Sequence, residues 1–364
     1  MKIVLAFDSF KGNMTAQDAC EIAARGIQSV RPDVETVVRP MADGGEGTAE
    51  ALMSALGGEW IPMTVTGPFP HMRVEAGYAW LPETKTAVVE MAKASGLPLL
   101  KPEVRNPVHA TTYGTGELIK AAAEKGAQKI LLTVGGSATV DGGIGAAEAL
   151  GWKIVPGVGI TEPPAGLNLP EMDVLCDVTN PLCGPNGAAY VYGPQKGATP
   201  EQVKMLDSKL WKLSETVFQT LEVRGAEPGV PLRDLPGAGA AGGLAFGAVA
   251  FMNGKLVPGI DTVMETLGLA DALRGADWVL TGEGKLDMQS VQGKVVDGVQ
   301  RLAKRAGART GVIAGCVRLT EPEWRIAGID RVATLQPAGM SVEESIARSR
   351  DLLFEEAATF AGGL

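Results

Sequence analysis

Lys129-Ile-Leu-Leu-Thr-Val134, followed by Gly135-Gly-Ser-Ala-Thr-Val-Asp-Gly-Gly143, decides the fold class. The apolar run has the length of a buried strand, the glycines end it, and Gly143 to Leu150 has helical character. Strand, glycine loop, helix is the α/β arrangement that places ligands at the carboxyl ends of strands. The loop offers consecutive backbone donors, the hydroxyls of Ser137 and Thr139, and Asp141 for a metal ion or water. A left-handed glycine turn serving packing alone is the competing reading.

Working outward, the first forty residues read as strand, helix, strand. Ile3-Val-Leu-Ala-Phe7 runs into the polar loop Asp8-Ser-Phe-Lys-Gly12, and Thr15 is placed as a helix N-cap. Ala19, Ile22, Ala23, Gly26, Ile27 and Val30 have helical spacing. Thr36 to Met41 is a second strand, and Glu46 to Leu56 a helix. Trp60 to Thr66, Arg73 to Trp80 and Thr86 to Met91 are β-rich runs between turn residues, an antiparallel piece. A helix is expected over Thr115 to Lys125.

In the middle of the chain, Val158 to Pro170 is expected as loop, Val174 to Val178 as strand and Ala188 to Tyr192 as strand. Pro200 to Val223 and Ala241 to Met252 read as helices. The βα rhythm returns with Trp278-Val-Leu-Thr281, a helix from Val295 to Ala306, strands at Thr310 to Ala314 and Val332 to Leu335, and a last helix from Val342 to Ala361. The two ends are alike in style, which suggests one doubly wound domain interrupted by a second of mixed or antiparallel sheet.

The 364 residues suit about two domains. With 45% hydrophobic and 21% charged residues the chain reads as soluble and globular, and its 48 glycines lie between apolar runs rather than in a short repeat. A net charge of −9 and a pI near 5.0 disfavour nucleic-acid binding. Cys20, Cys176, Cys183 and Cys316 form no Cys-x-x-Cys pair, so neither zinc nor a disulfide framework is indicated. No signal peptide or membrane span is read, and a cytoplasmic location is expected.

Three further loops are glycine-rich, the first and last of them carrying acidic residues as the Gly135 loop does: Asp43-Gly-Gly-Glu-Gly47, Gly237-Ala-Gly-Ala-Ala-Gly-Gly243 and Thr281-Gly-Glu-Gly-Lys-Leu-Asp287. Glycines let backbone N–H groups approach phosphate, whereas neighbouring carboxylates repel it unless Mg2+ intervenes. Together they indicate a magnesium-nucleotide site. No Gly-x-x-x-x-Gly-Lys-Ser/Thr occurs, which disfavours a P-loop NTPase. Gly237-x-Gly239-x-x-Gly242 matches a dinucleotide fingerprint, but Val230-Pro-Leu-Arg-Asp-Leu-Pro236 before it makes a poor central strand. Tight helix packing and a backbone anion site are its other readings. Asp43 opens a helix and by itself is equally a cap. The only histidines, His71 and His109, lie outside these loops, so proton transfer falls to carboxylate or lysine.

On these residues the chain resembles the bacterial glycerate kinase family over nearly its full length. The resemblance rests on Asp8-Ser-Phe-Lys11, Ala42-Asp-Gly-Gly-Glu-Gly47, Val65-Thr-Gly-Pro68, Glu90-Met-Ala92 with Ala94-Ser-Gly-Leu97, Arg105-Asn-Pro107 and Tyr113-Gly-Thr-Gly-Glu-Leu118. It continues through the Gly135 loop, Cys176-Asp-Val178 with Asn180-Pro-Leu-Cys-Gly184, Gly193-Pro-Gln-Lys-Gly-Ala198, Pro236 to Gly243, Gly282 to Asp287 with Gln289-Ser290, and Gly293-Lys294. The family usually has Pro where Phe7 stands and Asn where Val140 stands, and the stretch from Gly151 to Val174 is shorter here.

The resemblance implies ATP-dependent phosphorylation of D-glycerate, usually at the 2-hydroxyl. It also implies two α/β domains, one discontinuous and flavodoxin-like, with the site in the cleft between them. The expected boundaries are 1–62, 105–155 and 263–364 for the flavodoxin-like domain, and 63–104 and 156–262 for the second. For such a kinase, Asp8, Lys11, Asp141 and Asp287 are the expected catalytic residues, and Ser9, Arg105 and Lys196 the substrate contacts. Gly135, Gly136, Ser137, Gly239, Gly242, Gly282 and Glu283 are expected at the nucleotide, and Asp43 and Asp177, or Asp287, at Mg2+. The partners are D-glycerate and ATP, with no nucleic acid or membrane, in a monomer or homodimer. A 3-phosphoglycerate-forming kinase, a non-catalytic scaffold of the same fold and an NAD-dependent oxidoreductase are the alternatives.

Overall fold

A computed structural model describes residues 1–10, 12–163, 168–221 and 230–364. The chain begins with β1 (Lys2–Leu5), α1 (Ala16–Val30), β2 (Glu35–Val38) and α2 (Thr48–Leu56). Next come β3 (Glu59–Thr66), β4 (Arg73–Leu81), β5 (Thr86–Glu90), α3 (Ala92–Ser95), α4 (Tyr113–Glu124), β6 (Lys129–Thr133) and α5 (Ile144–Ala149). The middle holds β7 (Lys153–Val155), β8 (Gly159–Thr161), β9 (Glu171–Leu175), α6 (Ala188–Tyr192), α7 (Pro200–Thr220), α8 (Ala240–Phe251) and β10 (Gly254–Val257). Then follow α9 (Gly259–Thr266), α10 (Leu269–Ala272), β11 (Trp278–Thr281), β12 (Lys285–Leu286) and α11 (Val295–Ala306). The last elements are β13 (Arg309–Ala314), β14 (Cys316–Val317), α12 (Glu321–Ile326), β15 (Arg331–Thr334) and α13 (Val342–Gly362).

These elements form two compact units, one of Met1–Asp43, Glu50–Leu56 and Ile260–Leu364, the other of Gly44–Ala49 and Gly57–Gly259. The first unit is built on a five-stranded sheet in the order β15-β13-β11-β1-β2, every pair parallel. Numbered within the unit, that order is the flavodoxin-like 2-1-3-4-5. Its three inner strands are mostly apolar and buried along nearly their whole length, as expected of strands covered on both faces. Ile3, Leu5, Trp278, Leu280 and Ile313 are buried with Ile22, Ile27, Leu353 and Phe360 from α1 and α13.

Thr15 caps α1 by accepting the Asp18 N–H at 3.1 Å, which satisfies one of the helix's orphan donors. The stripe Ala19, Ile22, Ala23, Gly26 and Ile27 is buried, as its spacing predicts, whereas Val30, expected with it, lies at the helix end and is exposed. Gly26 sets how closely α13 approaches: a Cβ there would lie 2.4 Å from the Phe354 carbonyl oxygen. At the rim, Arg350 pairs with Asp18 at 2.7 Å and holds that carboxyl below its usual range.

The second unit carries a six-stranded mixed sheet, β10-β9-β6-β5-β4-β3. Its antiparallel part is β3-β4-β5, as the β-rich runs suggest, and β5, β6, β9 and β10 are parallel. The core is filled by Tyr78, Val89, Leu118, Ile130, Leu132, Met172 and Phe246.

Three expectations are corrected. Residues 105–155, expected with the flavodoxin-like domain, fall in the second unit because β6 is hydrogen-bonded between β5 and β9. Ala188–Tyr192, read as a strand, is helix α6. Its short apolar run is ambiguous in period, and burial of Ala188 and Ala189 beside α7 and α8 decides for helix. Val158 to Pro170, read as loop, contains β8, which forms a hairpin with β7 around the left-handed Gly157 (φ 82°). Residues 164–167 of that stretch, and 222–223 of the expected helix to Val223, lie outside the described residues.

Gly26→Ala should therefore force α1 and α13 apart. It is expected to cost about 1–3 kcal/mol, the range for overpacking a tight contact. Urea unfolding of the purified variant measures it, and an unchanged midpoint contradicts the packing described.

Candidate functional site

In the first unit the chain leaves β1 towards β2 on one side, and leaves β11 towards β13 and β15 on the other. The loops after β1 and β11 therefore diverge, and a crevice opens at their carboxyl ends. Hydrogen bonds tie the two loops together at its floor. Ala6 N–H donates to Leu280 O at 2.8 Å, Asp8 N–H to Gly282 O at 2.9 Å, and the Thr281 hydroxyl to Ala6 O at 2.6 Å. Gly282 is required here, since a Cβ would stand 1.9 Å from Ile313 O.

The crevice is a cavity of about 550 Å³. Asp8, Ser9, Asp43, Glu283 and Asp287, all expected site residues, line it together with Lys285, Lys294 and Arg318. The Ser9 N–H donates to Asp8 Oδ1 at 2.6 Å. Asp287 pairs with Lys285 Nζ at 2.7 Å and accepts the Gln289 N–H at 3.0 Å. The Lys285 ammonium holds its carboxyl below the usual range. Glu283 is the opposite case. Burial pushes its carboxyl up, against the pull of Ser290 and Lys294 and with repulsion from Asp287 and Asp43. Its Oε1 is buried without a hydrogen-bond partner. A buried carboxylate oxygen left unsatisfied costs stability, and this one belongs to a residue that lines the cavity.

The other expected residues gather in the second unit. Lys196 is buried and donates to the Ser137 hydroxyl at 2.6 Å and to Thr139 O at 2.8 Å. Burial pulls its ammonium down to about 7, against the attraction of Asp141. Asp141 itself accepts four hydrogen bonds: from the Thr112 N–H and hydroxyl, both at 2.8 Å, the Gly143 N–H at 3.1 Å and the Gly145 N–H at 3.3 Å. Those donors tie the Gly135 loop to the starts of α4 and α5. Burial raises the Asp141 carboxyl, and the same hydrogen bonds oppose the rise. Arg105 lies against the Lys196 turn, where a Cβ on Gly197 would stand 2.4 Å from Arg105 O, and its Nε is buried without a partner.

The Gly237 loop packs on the Gly135 loop through backbone. Gly142 N–H donates to Gly242 O at 3.0 Å, and a Cβ on Gly242 would stand 1.9 Å from Thr139 O. Gly239 faces Pro181 O in the same way, at 2.3 Å. The segment before this loop is a 3₁₀ turn over Leu232–Asp234, so the strand that a dinucleotide fingerprint needs is not there. Gly135 faces Gly45, with a Cβ 3.4 Å from its Cα, and the Gly136 carbonyl accepts the Leu97 N–H at 2.8 Å. Asp177, within the second unit, accepts the Gly259 N–H at 2.8 Å. Lys11 lies outside the described residues.

Phe7 and Val140, the two positions that set this chain apart in the resemblance above, are both buried core positions. Sequence reasoning assigned no role to Lys285, Lys294 and Arg318. Lys285 and Lys294 sit inside quoted motifs, whereas Arg318 follows the short β14 and carries no local signal. Glu90 was also passed over as a site residue. It is buried, accepts the Ala49 N–H at 2.9 Å, and has Lys93 Nζ 3.9 Å from its other oxygen.

Among the described residues no helix is long and apolar enough to cross a membrane. The profile of the Glycerate kinase family matches residues 3–172 and 160–362. The chain is 40% identical over 373 residues to a glycerate kinase of Halalkalibacterium halodurans, covering 98% of this chain and 96% of that one. It is 38% identical over 389 residues to the glycerate 2-kinase of Escherichia coli K12, covering 100% and 99%. The crystal structure of a candidate glycerate kinase 2 from Salmonella typhimurium LT2 superposes with a TM-score of 0.86 at 36% identity, covering 100% of this chain and 98% of that one. With its sequence matched end to end and its fold matched over the same span, the chain belongs to the glycerate kinase family of phosphotransferases.

Proposed function

We propose that this kinase transfers the γ-phosphoryl group of ATP to the 2-hydroxyl of D-glycerate, and that the transfer occurs at the first unit's cavity. The observation that carries this reading is the buried, unpartnered Oε1 of Glu283, at the crevice where β1 and β11 diverge. Phosphoryl transfer asks little covalent chemistry of a protein; it depends on positioning and on offsetting phosphate charge. The cavity has groups of both kinds.

Asp8, oriented by the Ser9 N–H, accepts the proton of the attacking hydroxyl, and Ser9 contacts the substrate. Lys285, Lys294 and Arg318 offset the charge that develops on the transferring group. Asp287 orients Lys285 through its ion pair.

The donor set fits Mg2+, a hard cation that takes oxygen ligands and is often held by only one or two carboxylates besides water and phosphate. Asp43 and Glu283 would hold it, and the orphaned Glu283 oxygen is the specific support. Bound there, the ion supplies neutralisation of the phosphate oxygens.

In the second unit, Ser137, Asp141 and Lys196 act as positioning residues that hold the Gly135 loop in one conformation. Gly239 and Gly242 serve its packing.

Glu283→Gln and Asp8→Asn should each lower kcat by about 10²–10³, the usual loss for one electrostatic contact in such a site. Glu283→Gln should also raise the Mg2+ concentration needed for half-maximal rate. The assay is ADP release with D-glycerate and Mg-ATP, with the phosphoglycerate isomer identified by 31P NMR. Unchanged turnover in both folded variants removes the assignment, and a 3-phosphoglycerate product removes the regiochemistry.

Lys196 makes stability depend on pH. The folded ammonium titrates near 7 and the unfolded one near 10.5, so between these values the unfolded chain binds the extra proton. Stability from this group therefore rises with pH across that window. Lys196→Met should flatten the slope, which urea midpoints taken from pH 7 to pH 10 will measure; equal slopes would show that this group is not depressed in the folded protein.

A further inference from the structure

We propose that the same cavity has a second subsite, between the end of β15 and the first turns of α13, that takes the purine base of the nucleotide. The proposal rests on the kinase reading above and adds where the base sits. A cavity of about 550 Å³ is far larger than a three-carbon acid requires, and lies within the range of roughly 300–1,000 Å³ typical of small-molecule and cofactor sites.

Its lining is divided by chemistry. Asp8, Asp43, Glu283, Asp287 and Lys294 come from the loops after β1, β2, β11 and β12. The walls contributed by the end of β15 and by α13 include Leu335, Val342 and Ile346, with Phe10 nearby. Hydrogen bonds show that these apolar residues form one patch. Ser345 Oγ donates to Leu335 O at 2.8 Å, and Asn13 Nδ2 donates to Ile346 O at 3.2 Å and to Ser349 Oγ at 2.6 Å. Ser349 Oγ in turn donates to Ile346 O at 2.9 Å. The serine hydroxyls and the Asn13 amide are thus occupied, as is the Nε2 of Gln336, which lines the same wall and donates to Met340 O at 3.2 Å, and Leu335, Val342 and Ile346 offer a ligand an apolar face beside them.

Val342 and Ile346 are the informative pair. They lie four residues apart on one face of α13 and remain 53% and 55% exposed, beside the fully buried Leu335. A flat ring laid against them would cover aliphatic surface that otherwise faces water. Phosphate is the wrong occupant. The α13 start is capped by Ser341, which accepts the Glu344 N–H at 3.1 Å, and its first turn carries Glu343 and Glu344. From β11 to β15 is two strand spacings, about 10 Å, which leaves room for ribose and phosphates between the base and the acidic loops.

The test uses Val342→Asp and Ile346→Asp, both at exposed positions, with Ile346→Leu as the conservative control. Each Asp variant should raise the KM for ATP about tenfold or more. The KM for D-glycerate and kcat should stay within about twofold, and Ile346→Leu should behave as the parent. Equilibrium dialysis with adenosine, which has no phosphate, should show binding to the parent and its loss in the Asp variants. A rise in the glycerate KM instead, or adenosine binding unaffected by both Asp variants, overturns the subsite. A parent protein that binds adenosine at this patch yet releases no ADP with glycerate would sink the kinase reading and leave the subsite standing.

Discussion

The parallel pairing of β1 with β11 is the constraint on which the first unit depends. Ile3, Val4 and Leu5 register against Trp278, Val279 and Leu280, so the chain must return across some 275 residues to complete its central strand pair. A parallel pair needs a crossover connection, and here the whole second unit lies within it. Once this pair is made, β2 can lie only on one side and β13 and β15 on the other, and the crevice between the diverging loops follows. Asp8 and Glu283, far apart in the chain, become neighbours because the strands before them are neighbours.

In the second unit the controlling fact is close backbone approach. Gly242 and Gly143 allow α8 and the Gly135 loop to touch main chain to main chain, where any side chain would intrude. Asp141 and Lys196 then fix the loop from either side with hydrogen bonds to backbone and hydroxyl groups. A buried ammonium is tolerated there because its hydrogen bonds and the nearby Asp141 charge offset part of the desolvation cost.

The glycine loops were legible because glycine and strand periodicity are local properties. The strands at β1, β6 and β11 and the amphipathic α1, α7, α11 and α13 were readable for the same reason. The helix α6 was not, since five residues give no period and its alanines are decided by what covers them. The place of residues 105–155 was misread because a strand does not announce its partner. Two of the four loops rest on the same close backbone approach but differ in setting: Gly282 packs at the floor of the cavity, whereas Gly239 and Gly242 pack the Gly237 loop within the second unit.

The sequence by itself determined the α/β class, the order of the glycine loops, the carboxylates beside them, and through these the glycerate kinase family. Only the tertiary structure decided which of those residues share a cavity. Asp8, Ser9, Asp43, Glu283 and Asp287 are brought together in the first unit and joined by Lys294 and Arg318, while within the second unit Asp141, Asp177 and Lys196 are held by bonds of their own. The reason is physical. Loop and strand character arise from neighbours in the chain, but convergence arises from sheet order, which is set by hydrogen bonds between segments hundreds of residues apart.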